Sequence, residues 1–176
     1  MTTSPPPRPH DNCYWLAPRL MAGEYPGAPT TDAALPRLRR ILDAGITFFV
    51  DLTEPHELAP YAPLLPQVVR PGEPAPVYVR LPIRDLHVPR TPAVMAAILD
   101  TIDDALAGGH AVYFHCWGGI GRTGTVAGCW LVRHGMSGAE ALATVDGHMR
   151  TTAKAYRVPR SPETDVQCAY VHGWSE

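Results

Sequence analysis

The sequence predicts an α/β fold in which a mostly parallel central sheet is flanked by helices on both faces. Short apolar runs rich in branched and aromatic residues alternate along the chain with longer segments of helical periodicity. This alternation is typical of parallel sheets that are covered by helices. The length of 176 residues suits one domain. We therefore expect a single domain over residues 13–176 and a flexible leader over residues 1–12.

The predicted strands are short runs bounded by turn residues or polar side chains. The first region favours a strand or hairpin with turns at Pro18 and Gly23. The later runs are short and rich in Val, Ile, Phe and Tyr, which favours strands, and ITFFVDL suits a buried one. In chain order these regions are YWLAPRLMAGEYPG (14–27), ITFFVDL (46–52), PVYVRLPI (76–83) and AVYFH (111–115).

The predicted helices are marked by their capping residues and apolar faces. Thr31 or Asp32 is expected to cap the first helix. Ser137 with Glu140 fits a capping box at the start of a later helix. A short helical piece broken by prolines is expected over residues 54–65. The five longer helical segments span 31–45, 91–109, 123–135, 137–150 and 161–174.

Composition excludes several classes of protein. The formal net charge of −2 gives no reason to expect general binding to nucleic acid or to anionic membranes. No apolar run is long enough to cross a membrane, and the N-terminus lacks the apolar core of a secretory signal. We therefore expect a cytoplasmic protein whose cysteines remain thiols. These cysteines are Cys13, Cys116, Cys129 and Cys168.

The turn HCWGGIGRTG, residues 115–124, has the composition of an anion-binding loop. Its glycines let the chain curl so that several backbone N–H groups point inward. The helix that follows adds the partial positive charge of its N-terminus. Arg122 adds a two-pronged guanidinium that suits phosphate oxygens. The turn directly follows a predicted strand, where ligands gather in parallel sheets.

Cys116 lies at the mouth of this expected loop, where a thiolate would be stabilised. Isolated thiols have a pKa of about 8.5, whereas cysteines at helix N-termini or beside arginine have values of about 3.5–7.5. A thiolate beneath a bound phosphate could attack phosphorus and form a phosphocysteine intermediate. The N–H groups would then stabilise the charge on the equatorial oxygens in the transition state.

The departing oxygen needs a proton, and Asp85 in LPIRDLHVP is the best candidate to donate it. It follows a predicted strand, so it should emerge at the same rim as Cys116. The flanking Pro82 and Pro89 would stiffen its loop. Asp103 and Asp104 are poorer candidates because they fall within a predicted helix. This chemistry requires no metal and no cofactor.

The segment from His115 to Gly124 carries the HC-x5-R-[ST] signature and resembles the protein tyrosine phosphatase superfamily. PIRDLHVP resembles the general-acid loop of its dual-specificity branch. Small bacterial members with a CWGGIGRTG loop also share the YW…LxAGEYPG opening and the SPETxxQ…V…W ending. The likeness covers the chain from about Tyr14 to Trp174 and implies a protein tyrosine phosphatase-like fold.

The resemblance implies a role for each matching residue. Cys116 would be the nucleophile, Arg122 the phosphate clamp, and Asp85 the acid that then activates water. Thr123 would bond to the sulfur and help it leave. His115 would orient the loop, and Gln167 would position the attacking water. The implied phosphate-binding backbone groups belong to Trp117, Gly118, Gly119, Ile120, Gly121 and Arg122.

Several alternatives remain open at this point. GIGRTG also fits a dinucleotide-binding GxGxxG pattern, but the following segment is helical where that fold needs a strand. A rhodanese-type sulfurtransferase would have a loop one residue shorter, and a catalytically silent phosphate-binding module would not need Asp85. Cys129 or Cys13 could act as a resolving thiol for an oxidised Cys116.

The expected partner is a phosphorylated protein or a small phosphate ester. Phosphotyrosine is the favoured substrate, while phosphoserine, phosphothreonine and non-protein esters stay open. The loop lacks the lysines typical of members that act on phosphoinositides, which disfavours an inositol lipid. The sequence does not decide the oligomeric state or whether Trp117 contacts an aromatic substrate.

Overall fold

The computed structural model describes residues 6–176. The predicted leader of residues 1–12 therefore lies partly outside the described residues. The described chain forms one five-stranded sheet in the order β1-β2-β5-β3-β4, in which only the β1–β2 pair is antiparallel. The strands are β1 (Cys13–Ala17), β2 (Leu20–Gly23), β3 (Phe48–Asp51), β4 (Val77–Arg80) and β5 (Val112–His115). The predicted mostly parallel α/β sheet is confirmed, and its first region is a hairpin.

The strand register brings three carboxyl ends together at one edge of the sheet. His115, the last residue of β5, lies opposite Gly23 of β2 and Asp51 of β3. Chain segments that leave these strands therefore begin side by side. Ligand sites of parallel sheets form at such an edge, and residue 116 is the first to leave β5.

Six α-helices surround the sheet in the part of the chain that the structure describes. Helix α1 is capped by Thr30, whose hydroxyl accepts from the N–H of Ala33, so the expected caps at Thr31 and Asp32 are wrong by one or two residues. The capping box of Ser137 and Glu140 is confirmed. A 3-10 turn precedes the short α2. The helices are α1 (Thr31–Asp43), α2 (Leu65–Val68), α3 (Pro92–Ala107), α4 (Gly121–Arg133), α5 (Gly138–Met149) and α6 (Asp165–His172).

The core has one layer on each face of the sheet because alternate strand residues point to opposite sides. In β5, Phe114 packs into the layer that α3, α4, α5 and α6 cover. Its neighbour Tyr113 packs into the layer under α1 and α2. Helix α4 is buried along most of its length, so the loop that precedes it rests on a rigid support.

Two glycines of α4 let the C-terminal segment approach closely. A Cβ on Gly124 would lie 2.3 Å from the hydroxyl oxygen of Ser161, and one on Gly128 would lie 2.6 Å from a methyl group of Val171. Larger residues at either position would separate α4 from the segment that leads into α6. The Ser161 hydroxyl also donates to the carbonyl of Ile120 at 2.8 Å, so that segment contacts the loop between β5 and α4 as well as the helix.

The described part of the predicted leader contacts the domain. Arg8 donates to the carbonyl oxygens of Cys13 and Thr151, and the Trp15 indole donates to the carbonyl of Pro6. The boundary at residue 12 stays a prediction. Among residues 6–176, no helix has the length and apolar character needed to span a membrane.

Candidate functional site

The loop between β5 and α4 places Cys116 next to the hydroxyl of Thr123. The backbone N–H of Cys116 donates to the Thr123 hydroxyl oxygen at 2.9 Å, and that oxygen lies 3.1 Å from the Cys116 sulfur. Only 3% of Cys116 is exposed. The sulfur is therefore fixed at the base of the loop, with a hydroxyl close enough to stabilise its anion.

Gly119 is required by the shape of this loop. Its φ of +72° lies in the left-handed region, which glycine adopts without strain. A Cβ there would lie 2.6 Å from the carbonyl carbon of Gly23, so the loop and the end of β2 are in backbone contact. Within the described residues, the N–H groups of residues 117–120 have no protein acceptor. These donors are suited to an anion.

Arg122 is fully enclosed and anchored at one end of its guanidinium. Its two terminal nitrogens donate to both carboxylate oxygens of Glu57, at 2.9 and 2.6 Å, and one also donates to the carbonyl of Ile83. Burial alone would lower the pKa of Arg122, but the Glu57 carboxylate outweighs it and the pKa is raised. The guanidinium is therefore held rigidly as a cation.

The free edge of Arg122 faces the acid loop. Its Nε is buried without a partner among the described residues. Its Nη2 lies 3.1 Å from a carboxylate oxygen of Asp85. Glu57 and Ile83 occupy both hydrogens of Nη1, and Glu57 also occupies one hydrogen of Nη2, which leaves Nε and the second hydrogen of Nη2. Nε and Nη2 together form a fork that matches two oxygens of one phosphate.

Asp85 lies beyond the carboxyl end of β4, as its position in the sequence predicts. The same carboxylate oxygen accepts from the N–H of Leu86 at 3.0 Å. About half of the Asp85 side chain is exposed. It lines the same pocket as Cys116 and Arg122. The carboxylate can therefore exchange protons with water and still reach a ligand that Arg122 binds.

Gln167 is fully buried between the acid loop and the start of α6. Its amide oxygen accepts from the N–H groups of Glu163 and Thr164, and its amide nitrogen donates to the carbonyl of His87 at 3.2 Å. This side chain thus connects the C-terminal helix to the loop that carries Asp85. The water-positioning role expected for it stays a prediction.

His115 supports the loop from behind. Burial lowers the pKa of its ring, which is therefore neutral. Nδ1 lies 2.8 Å from the carbonyl of Cys116, which can only accept, so the ring proton is on Nδ1. Nε2 accepts from the hydroxyl of Tyr61 at 2.8 Å. These contacts fix the peptide that follows Cys116, consistent with the orienting role expected for this residue.

The pocket above Cys116 has a volume of about 790 Å³, within the usual range for ligand sites. Trp117 and Leu86 border it, and more than half of each is exposed. Two charged side chains of the lining, Glu57 and Lys154, gave no sequence signal, whereas Glu163 belongs to the SPETxxQ ending. Glu57 and Lys154 lie in irregular segments with no motif, and packing between distant parts of the chain brings them here.

The other cysteines lie away from this lining. Cys13 and Cys129 are fully buried, and burial raises the pKa of Cys13 to about 11 and raises that of Cys129 further. All four cysteines are free thiols, in agreement with the sequence. Whether Cys13 or Cys129 resolves an oxidised Cys116 stays a prediction. Within residues 6–176, no three His, Cys, Asp or Glu side chains are grouped as metal ligands.

The fold and this pocket are those of a phosphatase domain that uses a cysteine as its nucleophile. Residues 10–170 match the family model PTP-SAK, Swiss Army Knife protein, DSP-PTPase phosphatase domain. The chain belongs to this family. The predicted membership of the protein tyrosine phosphatase superfamily, in its dual-specificity branch, is thereby confirmed, which decides against the dinucleotide-binding and sulfurtransferase interpretations.

Similar proteins agree with this assignment. "Putative tyrosine phosphatase 067L" of Invertebrate iridescent virus 3 is 29% identical over 121 residues, which cover 67% of this chain. The match spans only 44% of that viral protein. Tk-PTP in its active form superposes with a TM-score of 0.70 at 25% identity, covering 90% of this chain and 92% of its own. TpbA of P. aeruginosa, at 19% identity, shares the fold with a TM-score of 0.67, covering 93% of this chain and 85% of its own.

Proposed function

We propose that the protein hydrolyses phosphate monoesters through a phosphocysteine intermediate. One observation carries this proposal: the free edge of Arg122 faces Asp85 in the pocket that also holds Cys116. A nucleophile, a phosphate-binding cation and a carboxyl group therefore converge on one ligand position. Asp85 is distant from Cys116 and Arg122 along the chain, so its convergence with them is a property of the folded molecule.

In the first step, phosphate oxygens bind the N–H groups of residues 117–120 and the Nε–Nη2 edge of Arg122. The Cys116 sulfur attacks phosphorus as the ester P–O bond breaks. Asp85, protonated, gives its proton to the departing oxygen, and an alcohol leaves. The amide donors and Arg122 stabilise the charge that develops on the equatorial oxygens.

In the second step, the Asp85 carboxylate takes a proton from water. The water oxygen attacks phosphorus, the P–S bond breaks, and inorganic phosphate forms. The Cys116 sulfur leaves as a thiolate, which the Thr123 hydroxyl stabilises from 3.1 Å away. The reaction uses only side chains of this chain, so we expect chelators to leave the rate unchanged.

The rim of the pocket favours an aromatic ester such as phosphotyrosine. Trp117 and Leu86 offer exposed apolar surface at the mouth, against which a ring could pack. The two remaining cations of the lining, Arg37 and Lys154, are both paired with Glu24. Among residues 6–176, the lining therefore offers additional phosphate groups, as in inositol phosphates, no cation that is without a carboxylate partner.

The decisive experiment measures turnover of p-nitrophenyl phosphate with and without vanadate. We expect vanadate-sensitive turnover that Cys116→Ser abolishes. Cys168→Ser is the matched control because it makes the same thiol-to-hydroxyl change in a half-buried residue outside the pocket. Appreciable turnover by Cys116→Ser would refute the assigned nucleophile, and a wild type without turnover would favour a silent phosphate-binding module.

A panel of esters then tests the substrate class. We expect phosphotyrosine peptides to be hydrolysed with higher kcat/KM than phosphoserine peptides, phosphosugars or inositol phosphates. A preference for inositol phosphates would contradict the argument from paired cations. Trp117→Ala should lower kcat/KM for the phosphotyrosine peptide more than for a small alkyl phosphate.

A further inference from the structure

The chain contains one lysine, and it lies at the phosphate-binding loop. Every other basic side chain, apart from histidine, is an arginine. Lys154 belongs to the irregular segment between α5 and α6. Its ammonium nitrogen lies 2.7 Å from the carbonyl oxygen of Gly118 and 2.7 Å from a carboxylate oxygen of Glu24. The side chain is mostly enclosed, with 24% exposed.

The contact with Gly118 constrains the peptide that joins it to Gly119. The C=O and N–H of a trans peptide point in opposite directions. With its carbonyl held by Lys154, this peptide presents the Gly119 N–H on the opposite side, where no acceptor among the described residues meets it. Both residues are glycines, so no side chain limits rotation of the peptide. The hydrogen bond from the ammonium group therefore restrains the rotation of this peptide, which the two glycines leave unrestrained.

Glu24 keeps Lys154 in place. It directly follows β2; its N–H donates to the carbonyl of Asn12, and its carbonyl accepts from the Tyr113 hydroxyl. Burial would raise the pKa of the Glu24 carboxyl, but hydrogen bonds and the charge of Lys154, with help from Arg37, lower it overall. A carboxylate that is fixed by the sheet thus holds the ammonium group against the loop.

A lysine suits this position better than an arginine would. An ammonium group is a compact donor whose three hydrogens point in separate directions, whereas a guanidinium is a wide planar fork. Lys154 contacts the carbonyl of Gly118 and the carboxylate of Glu24, two acceptors that belong to different segments of the chain. A Cβ on Gly118 would lie only 3.8 Å from the nitrogen, which shows how closely the ammonium approaches the backbone.

We propose that Lys154, anchored by Glu24, is a positioning residue that holds the Gly118–Gly119 peptide with its N–H directed at the bound phosphate. This inference rests on the proposed function of the loop as a phosphate site. The ammonium group of Lys154 donates its hydrogen bonds to protein atoms rather than to the phosphate. Its effect on catalysis is exerted through the orientation of a backbone donor, which matters most when charge develops in the transition state.

The test compares Lys154→Met and Lys154→Arg with Arg157→Met, which removes an exposed cation from the same segment. Vanadate affinity is measured by calorimetry, and kcat and KM are measured with p-nitrophenyl phosphate. We expect Lys154→Met to weaken vanadate binding and lower kcat by about tenfold, since it loses a charge-assisted hydrogen bond, while KM changes less. Vanadate affinity and kcat should fall less in Lys154→Arg, and Arg157→Met should have the vanadate affinity and kcat of the wild type.

Glu24→Ala separates positioning from simple attraction of the phosphate by positive charge. If Lys154 acted only through its charge, removing a nearby carboxylate would strengthen vanadate binding. If Glu24 holds Lys154 in position, the same change weakens binding. We expect weaker binding, and tighter binding would overturn the inference. Melting temperatures of all variants show whether a loss of affinity merely follows a loss of stability.

The outcomes for the two proposals are distinguishable. Equal vanadate affinity in the wild type and Lys154→Met would overturn the positioning role even if the enzyme is active. A wild type that binds vanadate but hydrolyses no ester would overturn the proposed hydrolysis and leave the Lys154 comparison valid. A wild type that binds no vanadate would overturn both.

Discussion

The two sides of the pocket are built in different ways. On the phosphate side, Cys116, Ile120 and Arg122 are buried, helix α4 behind them is buried, and Gly119 is in backbone contact with β2. The acid side is an irregular loop whose key residues, Asp85 and Leu86, are each about half exposed. Few contacts reach that loop: the contact of Arg122 with Asp85 and the bond from Gln167 to His87 are two of them.

This difference matches the roles that we propose for the two sides. Donors that stabilise a transition state act best when they are already oriented, because no energy is then spent on reorganisation. An acid that later becomes a base must exchange protons, admit water and release product, which a partly exposed loop allows. Changes to the phosphate side should therefore impair every substrate, whereas changes to the acid side should depend on the leaving group.

The largest effect is expected from Gly119→Ala. The added Cβ would overlap the backbone of Gly23 and would force an unfavourable left-handed conformation. We expect kcat/KM to fall about 100-fold for good and poor leaving groups alike, since displacement of the donors by about 1 Å has effects of that size. Steady-state kinetics with p-nitrophenyl phosphate and an alkyl phosphate measure this.

Gly147→Ala is the matched control for that substitution. Gly147 is an exposed residue inside α5, and a Cβ there meets nothing within 4 Å. We expect unchanged kinetics and a gain in stability of about 0.5–1 kcal/mol because alanine favours helix. Equal behaviour of the two glycine variants would mean that the contact between Gly119 and β2 does not shape the site.

The second largest effect is expected from Asp85→Asn. The amide cannot donate an acidic proton, so the loss should be about 100-fold for an alkyl phosphate, at the lower end of the usual contribution of general acid catalysis. It should be much smaller for p-nitrophenyl phosphate, whose leaving group departs without protonation. Asp104→Asn, on an exposed helical position, should leave both rates unchanged. A uniform loss for both esters would remove Asp85 from the role of acid.

A smaller effect of the same kind is expected from Gln167→Glu. The carboxylate can still accept from Glu163 and Thr164, but it cannot donate to the carbonyl of His87. We expect the alkyl phosphate rate to fall about tenfold, in line with one lost hydrogen bond of about 1–1.5 kcal/mol. Gln67→Glu makes the same change at an exposed residue and should leave the rates for both esters unchanged. If the rate for p-nitrophenyl phosphate falls by the same factor, Gln167 acts on the phosphate side instead.

The difference between the two sides of the pocket also explains which parts of the fold and of the site the sequence could predict. The fold class, the positions of most elements, and Cys116, Arg122 and Asp85 follow from local signals: short apolar strands, a compact motif and a carboxylate after a strand. Glu57 and Lys154 could not be predicted because their contacts with the loop join segments 65 and 36 residues apart. Neither lies in a periodic or motif-bearing stretch, so only the packing of the whole chain places them.

The smallest expected effect concerns the free energy of unfolding, and it arises from His10 near the start of the described chain. His10 accepts from the N–H of Asn12 through Nδ1 and contacts the Tyr113 hydroxyl through Nε2. This arrangement requires a neutral ring, because a protonated Nδ1 would face another donor. Burial lowers the pKa of His10 from 6.5 to about 4. Between these values the unfolded chain binds a proton that the folded chain does not.

Stability should therefore be fully present above pH 6.5 and should decrease as the pH falls toward 4. One such group contributes a slope of about 1.4 kcal/mol per pH unit. Buried His115 and half-buried His148, whose pKa values are also lowered by desolvation, act in the same direction. His10→Gln isolates the share of one residue: urea unfolding at pH 7.5, 6 and 5 should show a shallower acid slope, by up to one proton, than the wild type. A difference between the two proteins that is constant from pH 7.5 to 5 would mean that His10 binds its proton in the folded chain as readily as in the unfolded chain. The hydrogen bonds that link it to Asn12 and Tyr113 would then need a different donor arrangement at low pH.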